Sequence, residues 1–142
     1  MFRTLSIFFI FLLLNVSSVS SSNFNYGSGY AAKSVLASQS LINAMDKIDN
    51  RIYAVGEHGI ILYSDDFGDS WTQAESVPYT STLTDISCSS KQSCWVTGHD
   101  ATILHSNDQG VTWIKQYEDP DWDAPLLSIH MFDDKVGIAI GA

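Results

Sequence analysis

Apolar and polar positions alternate in runs of four to six residues from about residue 41 onward, and turn-forming residues punctuate the runs. In the clearest stretch, Leu83 to Cys88, Cys94 to Thr97, Thr102 to Ser106 and Thr112 to Tyr117 read as four consecutive β-strands. Gly98 to Ala101 turns between the second and third, and Asn107 to Gly110 between the third and fourth. No helical period interrupts this region. Upstream, Tyr30 to Ser40 reads either as a short helix or as a strand completing a neighbouring sheet. The expected fold class is all-β.

The pattern repeats. Ser64-Asp65-Asp66-Phe67-Gly68-Asp69-Ser70-Trp71 returns 42 residues later as Ser106-Asn107-Asp108-Gln109-Gly110-Val111-Thr112-Trp113, both copies reading S-x-D-x-G-x-[ST]-W. Tyr53-Ala54-Val55-Gly56 likewise matches Trp95-Val96-Thr97-Gly98, and a gapless alignment sets Leu41 against Leu83. A third copy starts at Leu126, includes Gly141 as the counterpart of Gly98, and stops before its own octapeptide. A period near 40 with Gly and Trp at fixed places predicts stacked four-stranded units, the blades of a β-propeller. The expected blades run over about 40–80, 81–124 and 125–142, the last incomplete, giving about two and a half. A propeller needs at least about four, so the chain is expected either to be a truncated product or to close a ring with further copies.

Residues 1–21 read as a secretory signal: Arg3, then the apolar run Leu5 to Leu14, then small residues up to Ser21. The run is too short to span a bilayer, with an uncleaved anchor as the alternative. Residues 22–37 form a Ser/Gly/Asn-rich linker and a leading segment. The chain is therefore expected to be exported, to the periplasm or the extracellular space. Its formal net charge of −9 becomes more negative once Arg3 is removed, which disfavours binding to phosphate backbones. Cys88 and Cys94 are the two cysteines. In an oxidising compartment their simplest reading is one local disulfide. A metal pair would need two further ligands that are not nearby.

The octapeptides resemble the Asp-box, or BNR repeat, found in sialidases and many other propellers. Its residues have physical roles. Ser64 and Ser106 can bond backbone groups of the turn, Asp66 and Asp108 accept N–H groups that a tight turn leaves unpaired, and Gly68 and Gly110 permit positive φ. Trp71 and Trp113 are expected to bury large rings at the start of the outer strand. A motif repeated once per blade on a turn is a poor place for a single active site, so Asp66 and Asp108 are read as structural rather than catalytic or metal-binding.

Sialidases grip a carboxylate with several guanidinium forks, whereas Arg51 is the only arginine beyond the leader. No Tyr–Glu nucleophile pair can be assigned either. The alternative reading, an N-terminal fragment of a carbohydrate-active propeller, would need its catalytic residues beyond Ala142. A second resemblance extends over nearly all of the chain after the leader. The residues Tyr53 to Asp66, Thr82 to Ile86, Trp95 to Asp100 and Ala31 to Leu36 are similar to the photosystem II stability/assembly factor-like propellers and their relatives in non-photosynthetic bacteria. That resemblance implies a non-enzymatic, exported scaffold that binds protein partners, with no cofactor. Photosynthetic members are thought of as basic-patched, and this acidic chain departs from them, which favours a partner in the cell envelope other than a photosystem.

A candidate partner-binding rim gathers Glu57, His58, His99 and Asp100 on the turns between second and third strands, with Asp121 and Trp122 on the loop after the second blade. The recurrence of Glu57/His58 and His99/Asp100 admits a metal or pH-sensitive site, against ordinary solvated turns. Asp119, Asp121 and Asp123 alternate like a calcium loop but lack its glycine and distal Glu. An exposed loop aromatic such as Trp122 is a common partner anchor. His105 and His130, aligned with Tyr63 and Met45, are read as packing residues.

Overall fold

A computed structural model describes residues 29–119, 121–122 and 124–142. The signal-peptide expectation falls outside them, as do Pro120 and Asp123. The first blade is an antiparallel sheet in the order β1 (Ile42–Ile48), β2 (Arg51–Gly56), β3 (Ile61–Ser64) and β4 (Thr72–Gln73). The second repeats it with β5 (Leu83–Cys88), β6 (Cys94–Gly98), β7 (Ile103–Ser106) and β8 (Ile114–Tyr117). The hairpin of β9 (Leu126–Met131) and β10 (Gly137–Gly141) forms the third sheet. The outer strands start later than the alternation suggests, at Ile114 rather than Thr112, because the hydroxyl and N–H of Thr112 are held by Asp108. In 30–40 a single 3₁₀ turn, Ala37–Gln39, replaces the expected helix or strand. This segment lies along β4, where the Gln73 side chain bonds Ser34 N–H and Ala32 carbonyl.

Side chains alternate across each strand, and the first blade buries both of its faces. Tyr53, Val55 and Ile61 from the first blade meet Leu83, Ile86, Val96, Leu104 and Trp113 from the second in one shared core. On the other face of the first blade, Ala54, Ile60 and Leu62 pack with Ala37 and the half-buried Trp71. The two octapeptide tryptophans thus differ: Trp113 is only 3% exposed, whereas Trp71 is incompletely covered.

Strand registers correct the alignment of the first strands. Ile42 pairs with Gly56 as Leu83 pairs with Gly98 and Leu126 with Gly141. Ile42, not Leu41, is therefore the counterpart of Leu83, and Leu41 is 63% exposed. The slip arises in the first hairpins, where Ile48 turns directly to Arg51 through two residues but Cys88 reaches Cys94 through five. The same register puts His130 level with Ser87 and Asp46 rather than Met45, and it leaves His130 exposed, edge-on to Phe132.

Corrected equivalence exposes a ladder between inner strands. Asn43 Nδ2 donates to Leu83 carbonyl (2.8 Å), and Thr84 Oγ1 donates to Leu126 carbonyl (2.5 Å) at the matching place. Cys88 N–H donates to Asp46 Oδ2 (2.7 Å), and Met131 N–H donates to Ser87 Oγ (3.0 Å). These bonds satisfy inner-strand groups that the sheets themselves leave free and set each blade against the next.

Candidate functional site

Every strand order of this kind has two ends, and the two carry different chemistry. At one end sit the octapeptide turns and the disulfide. Ser64 Oγ donates to Asp66 Oδ1 (2.7 Å) and accepts Gly68 N–H (2.8 Å), while Asp66 accepts both the N–H (2.9 Å) and hydroxyl (2.6 Å) of Ser70. Ser106, Asp108, Gly110 and Thr112 repeat the same four bonds at 2.8, 2.9, 2.9 and 2.5 Å. Hydrogen bonds from Ser70 and Ser64 pull the Asp66 carboxyl down to about 2. Burial pushes Asp108 upward, but the bonds from Thr112 and Ser106 outweigh it and its pKa is also lowered. Both carboxylates are committed to their own turns, which leaves them as poor general acids or metal ligands.

Left-handed backbone extends one residue further than the glycines. Phe67 (φ 59) and Gly68 (φ 96) share it, as do Gln109 (φ 66) and Gly110 (φ 78). At Gly110 a second constraint applies, since a Cβ would lie 2.5 Å from the Tyr53 ring of the preceding blade. Trp113 Nε1 donates to Gly110 carbonyl at 3.0 Å. Cys88 and Cys94 are disulfide-bonded across the first hairpin of blade two.

Arg51 lies at this same end. It holds Asp65 through Nε (2.7 Å), donates through Nη1 to Gln109 carbonyl (2.8 Å), and its guanidinium sits 4.4 Å from the Tyr63 ring centre. The Asp65 hydrogen bond raises the Arg51 pKa further. The guanidinium therefore acts as a clamp between blades one and two. In blade two, at the register equivalents of Tyr53 and Tyr63, Trp95 stacks on His105 with centroids 4.1 Å apart, and His105 Nε2 lies 3.1 Å from Ser93 Oγ. Burial lowers the His105 pKa, which suits a stacked, neutral ring.

The opposite end gathers the candidate rim, and backbone bonds explain why. Glu57 N–H donates to Leu41 carbonyl (3.2 Å), His99 N–H to Thr82 carbonyl (3.1 Å) and Ala142 N–H to Pro125 carbonyl (3.2 Å), one bond per blade. Gly59 N–H donates to Ser81 carbonyl (2.7 Å), and Ala101 N–H to Ala124 carbonyl (3.1 Å), at matched positions. Each second-to-third strand turn is thereby laced to the loop leading into the next blade, making one continuous surface.

On that surface His58 (φ 56) and Asp100 (φ 54) adopt left-handed backbone and are exposed, as is His99. Glu57 is half-buried; its Oε1 accepts Leu41 N–H (3.2 Å) and its Oε2 lies 3.8 Å from His58 Nε2. Asp121 is exposed, and Trp122 is 46% exposed on a loop knotted by Asp119, which accepts Asp121 N–H on its carboxylate and Trp122 N–H on its carbonyl. Among the described residues, no group of three His, Cys, Asp or Glu side chains is gathered as a metal site.

Beneath the rim, sequence reasoning missed Tyr79. Its hydroxyl donates to His99 carbonyl (2.8 Å), and burial, with the nearby Asp100 carboxylate, pushes its pKa up to about 12. Tyr79 fixes the His99 turn from below. It lies in a Pro-containing loop with no counterpart motif, so only its isolated aromatic character pointed to it.

Comparison with protein-family profiles gave no match, and neither did comparison with curated protein sequences. Among solved structures, the fold is similar to one described as YCF48 bound to D1 peptide, with a TM-score of 0.59 and 20% identity, over 70% of this chain and 34% of that one. It is similar also to YCF48 from Cyanidioschyzon merolae, with a TM-score of 0.58 and 22% identity over the same shares. The chain spans about a third of the length of these structures. At such identity the likeness establishes the fold, an incomplete β-propeller of antiparallel four-stranded blades.

Proposed function

We propose that this chain is part of an exported, non-enzymatic β-propeller scaffold of the assembly-factor-like class, and that it binds protein partners in the cell envelope through the rim of Glu57, His58, His99, Asp100, Asp121 and Trp122. The observation that carries the reading is Trp122, a large aromatic 46% exposed on an acidic loop that the Ala101–Ala124 bond draws into the rim. An exposed aromatic that follows Asp121 and precedes Asp123 in the sequence suits a partner segment with an apolar residue flanked by Lys or Arg. That one structure of similar fold holds a peptide supports the same kind of occupant. The octapeptides contribute architecture, and their resemblance to the Asp-box carries no enzymatic role here. Arg51, held by Asp65 and Gln109 at the far end, does not serve a carboxylate-binding site on the rim.

The test is a pull-down from envelope extract with the tagged chain and with a Trp122→Ala, His99→Ala variant. Specific partners that elute with rising salt and are lost with the variant, at unchanged melting temperature, are expected. Equal recovery by both proteins would refute the assignment to this rim.

A further inference from the structure

The disulfide closes a loop that touches all three sheets. Cys88 and Cys94 face each other directly across β5 and β6, with a sequence separation of 6. That hairpin is already held by the pairing of Ile86 with Val96 and of Ser87 with Trp95. The first blade makes the equivalent turn, from Ile48 to Arg51, with no cysteine. The strands therefore do not need the bond in order to pair. What the bond fixes is the path of Ser89 to Ser93, which otherwise rests on Ser89 N–H to Ser93 carbonyl (3.1 Å) and on the bonds between Ser90 and Ser93.

That path reaches every neighbour. At its start Cys88 N–H donates to Asp46 Oδ2 of blade one, and Ser89 Oγ donates to Asp134 Oδ1 in the turn between β9 and β10 (2.5 Å). At its end Ser93, only 6% exposed, sets its hydroxyl against His105 on β7. Lys91 and Gln92 stand exposed at the tip. Cys94 is fully buried and Cys88 half-buried, so an incoming thiolate reaches Cys88 first.

We propose that Cys88–Cys94 is a reducible lock: a dithiol donor of the oxidoreductase class opens it, freeing the 89–93 loop and its contacts to blade one and the third sheet, while the sheets themselves persist. One donor thiolate attacks Cys88 Sγ, the bond between the two sulfurs breaks, and Cys94 leaves as a thiolate that takes up a proton. The donor's second thiol, as thiolate, then attacks the mixed disulfide and releases Cys88, which is protonated in turn. Two electrons pass to the chain, and the donor ends as its own disulfide. The lock lies at the end opposite the rim and is independent of what binds there.

In the test the full chain is treated with millimolar dithiothreitol, a small dithiol, at neutral pH, beside a Cys88→Ala, Cys94→Ala double variant. Reduction is expected to run to completion with the far-UV spectrum retained. Amide resonances should move at Asp46, 88–94, His105 and Asp134, and hold at Ala54, Val55 and Ile61. Trypsin should cut after Lys91 about tenfold faster, with cleavage after Lys115 in β8 unchanged. The double variant should show the same pattern without reductant. Glutathione, a monothiol, should be trapped on Cys88. The proposal is overturned if the bond resists dithiothreitol until urea unfolds the chain, or if reduction or the double variant melts the sheets. It is also overturned if cleavage after Lys91 rises no more than cleavage after Lys115, or if the glutathione adduct lies on Cys94.

Discussion

Trp71 and Trp113 occupy the same place in the same motif, yet their removal should have unequal consequences. A tryptophan buries about 200 Å², which at about 25 cal/mol per Å² is worth up to about 5 kcal/mol for a ring as enclosed as Trp113. Truncations of large buried aromatics fall at about 3–5 kcal/mol. Trp113→Ala also removes the 3.0 Å bond to Gly110 carbonyl and hollows the core shared by both blades. Trp71 contacts the smaller cluster around Ala54 and Leu62 and keeps part of its ring in water, so Trp71→Ala should cost about 1–2 kcal/mol by the same area reasoning. Urea unfolding followed by far-UV circular dichroism measures both, and in thermal scans each kcal/mol corresponds to about 4–8 °C. Equal losses, or a larger loss for Trp71, would refute the claim that the motif's energetics are set by the neighbouring blade.

Three further outcomes follow from named groups. Asp66 has a folded pKa of about 2, below the ordinary carboxylate value, so its contribution is present above about pH 4 and disappears as pH falls through 2. The gap in urea midpoint between wild type and Asp66→Asn should close over that window, and a carbon-13 titration midpoint near 3.9 would contradict it. Replacing both Cys88 and Cys94 by Ala opens a seven-residue loop and should cost about 2.4 kcal/mol by chain entropy, while oxidised and reduced wild type with equal urea midpoints would count against the bond. Gly68→Ala strains only its left-handed backbone, at about 1–2 kcal/mol, whereas Gly110→Ala also drives into the Tyr53 ring and should lose about 1–3 kcal/mol more; matching calorimetric losses would remove the interblade explanation.

Much of the architecture was legible because the signals are local. The strands around Cys94, Ile103 and Leu126 follow alternation and turn residues, and the octapeptide's serine, aspartate and glycine make bonds within their own turn. What escaped depends on contacts between blades. The one-residue slip that makes Ile42 the partner of Leu83 is hidden because the first hairpins differ in turn length. The inequality of Trp71 and Trp113 cannot be seen in two identical letters, since only the neighbouring blade distinguishes them. Arg51 read as a lone arginine, and its clamp on Asp65 and Gln109 spans residues far apart in the chain. The rim residues were placed by turn position, but the backbone lacing that joins them, and Tyr79 beneath, needed coordinates.

The proposed role rests on one end of the propeller being the binding face, and site-specific photo-crosslinking compares the ends directly. A photoreactive amino acid is placed at Asp121 on the rim or at Asn107 on the octapeptide turn, both exposed, and irradiated in intact cell envelopes. The account predicts a discrete crosslinked partner from position 121 and none from 107. The same product from both positions, or one from 107 alone, would contradict it.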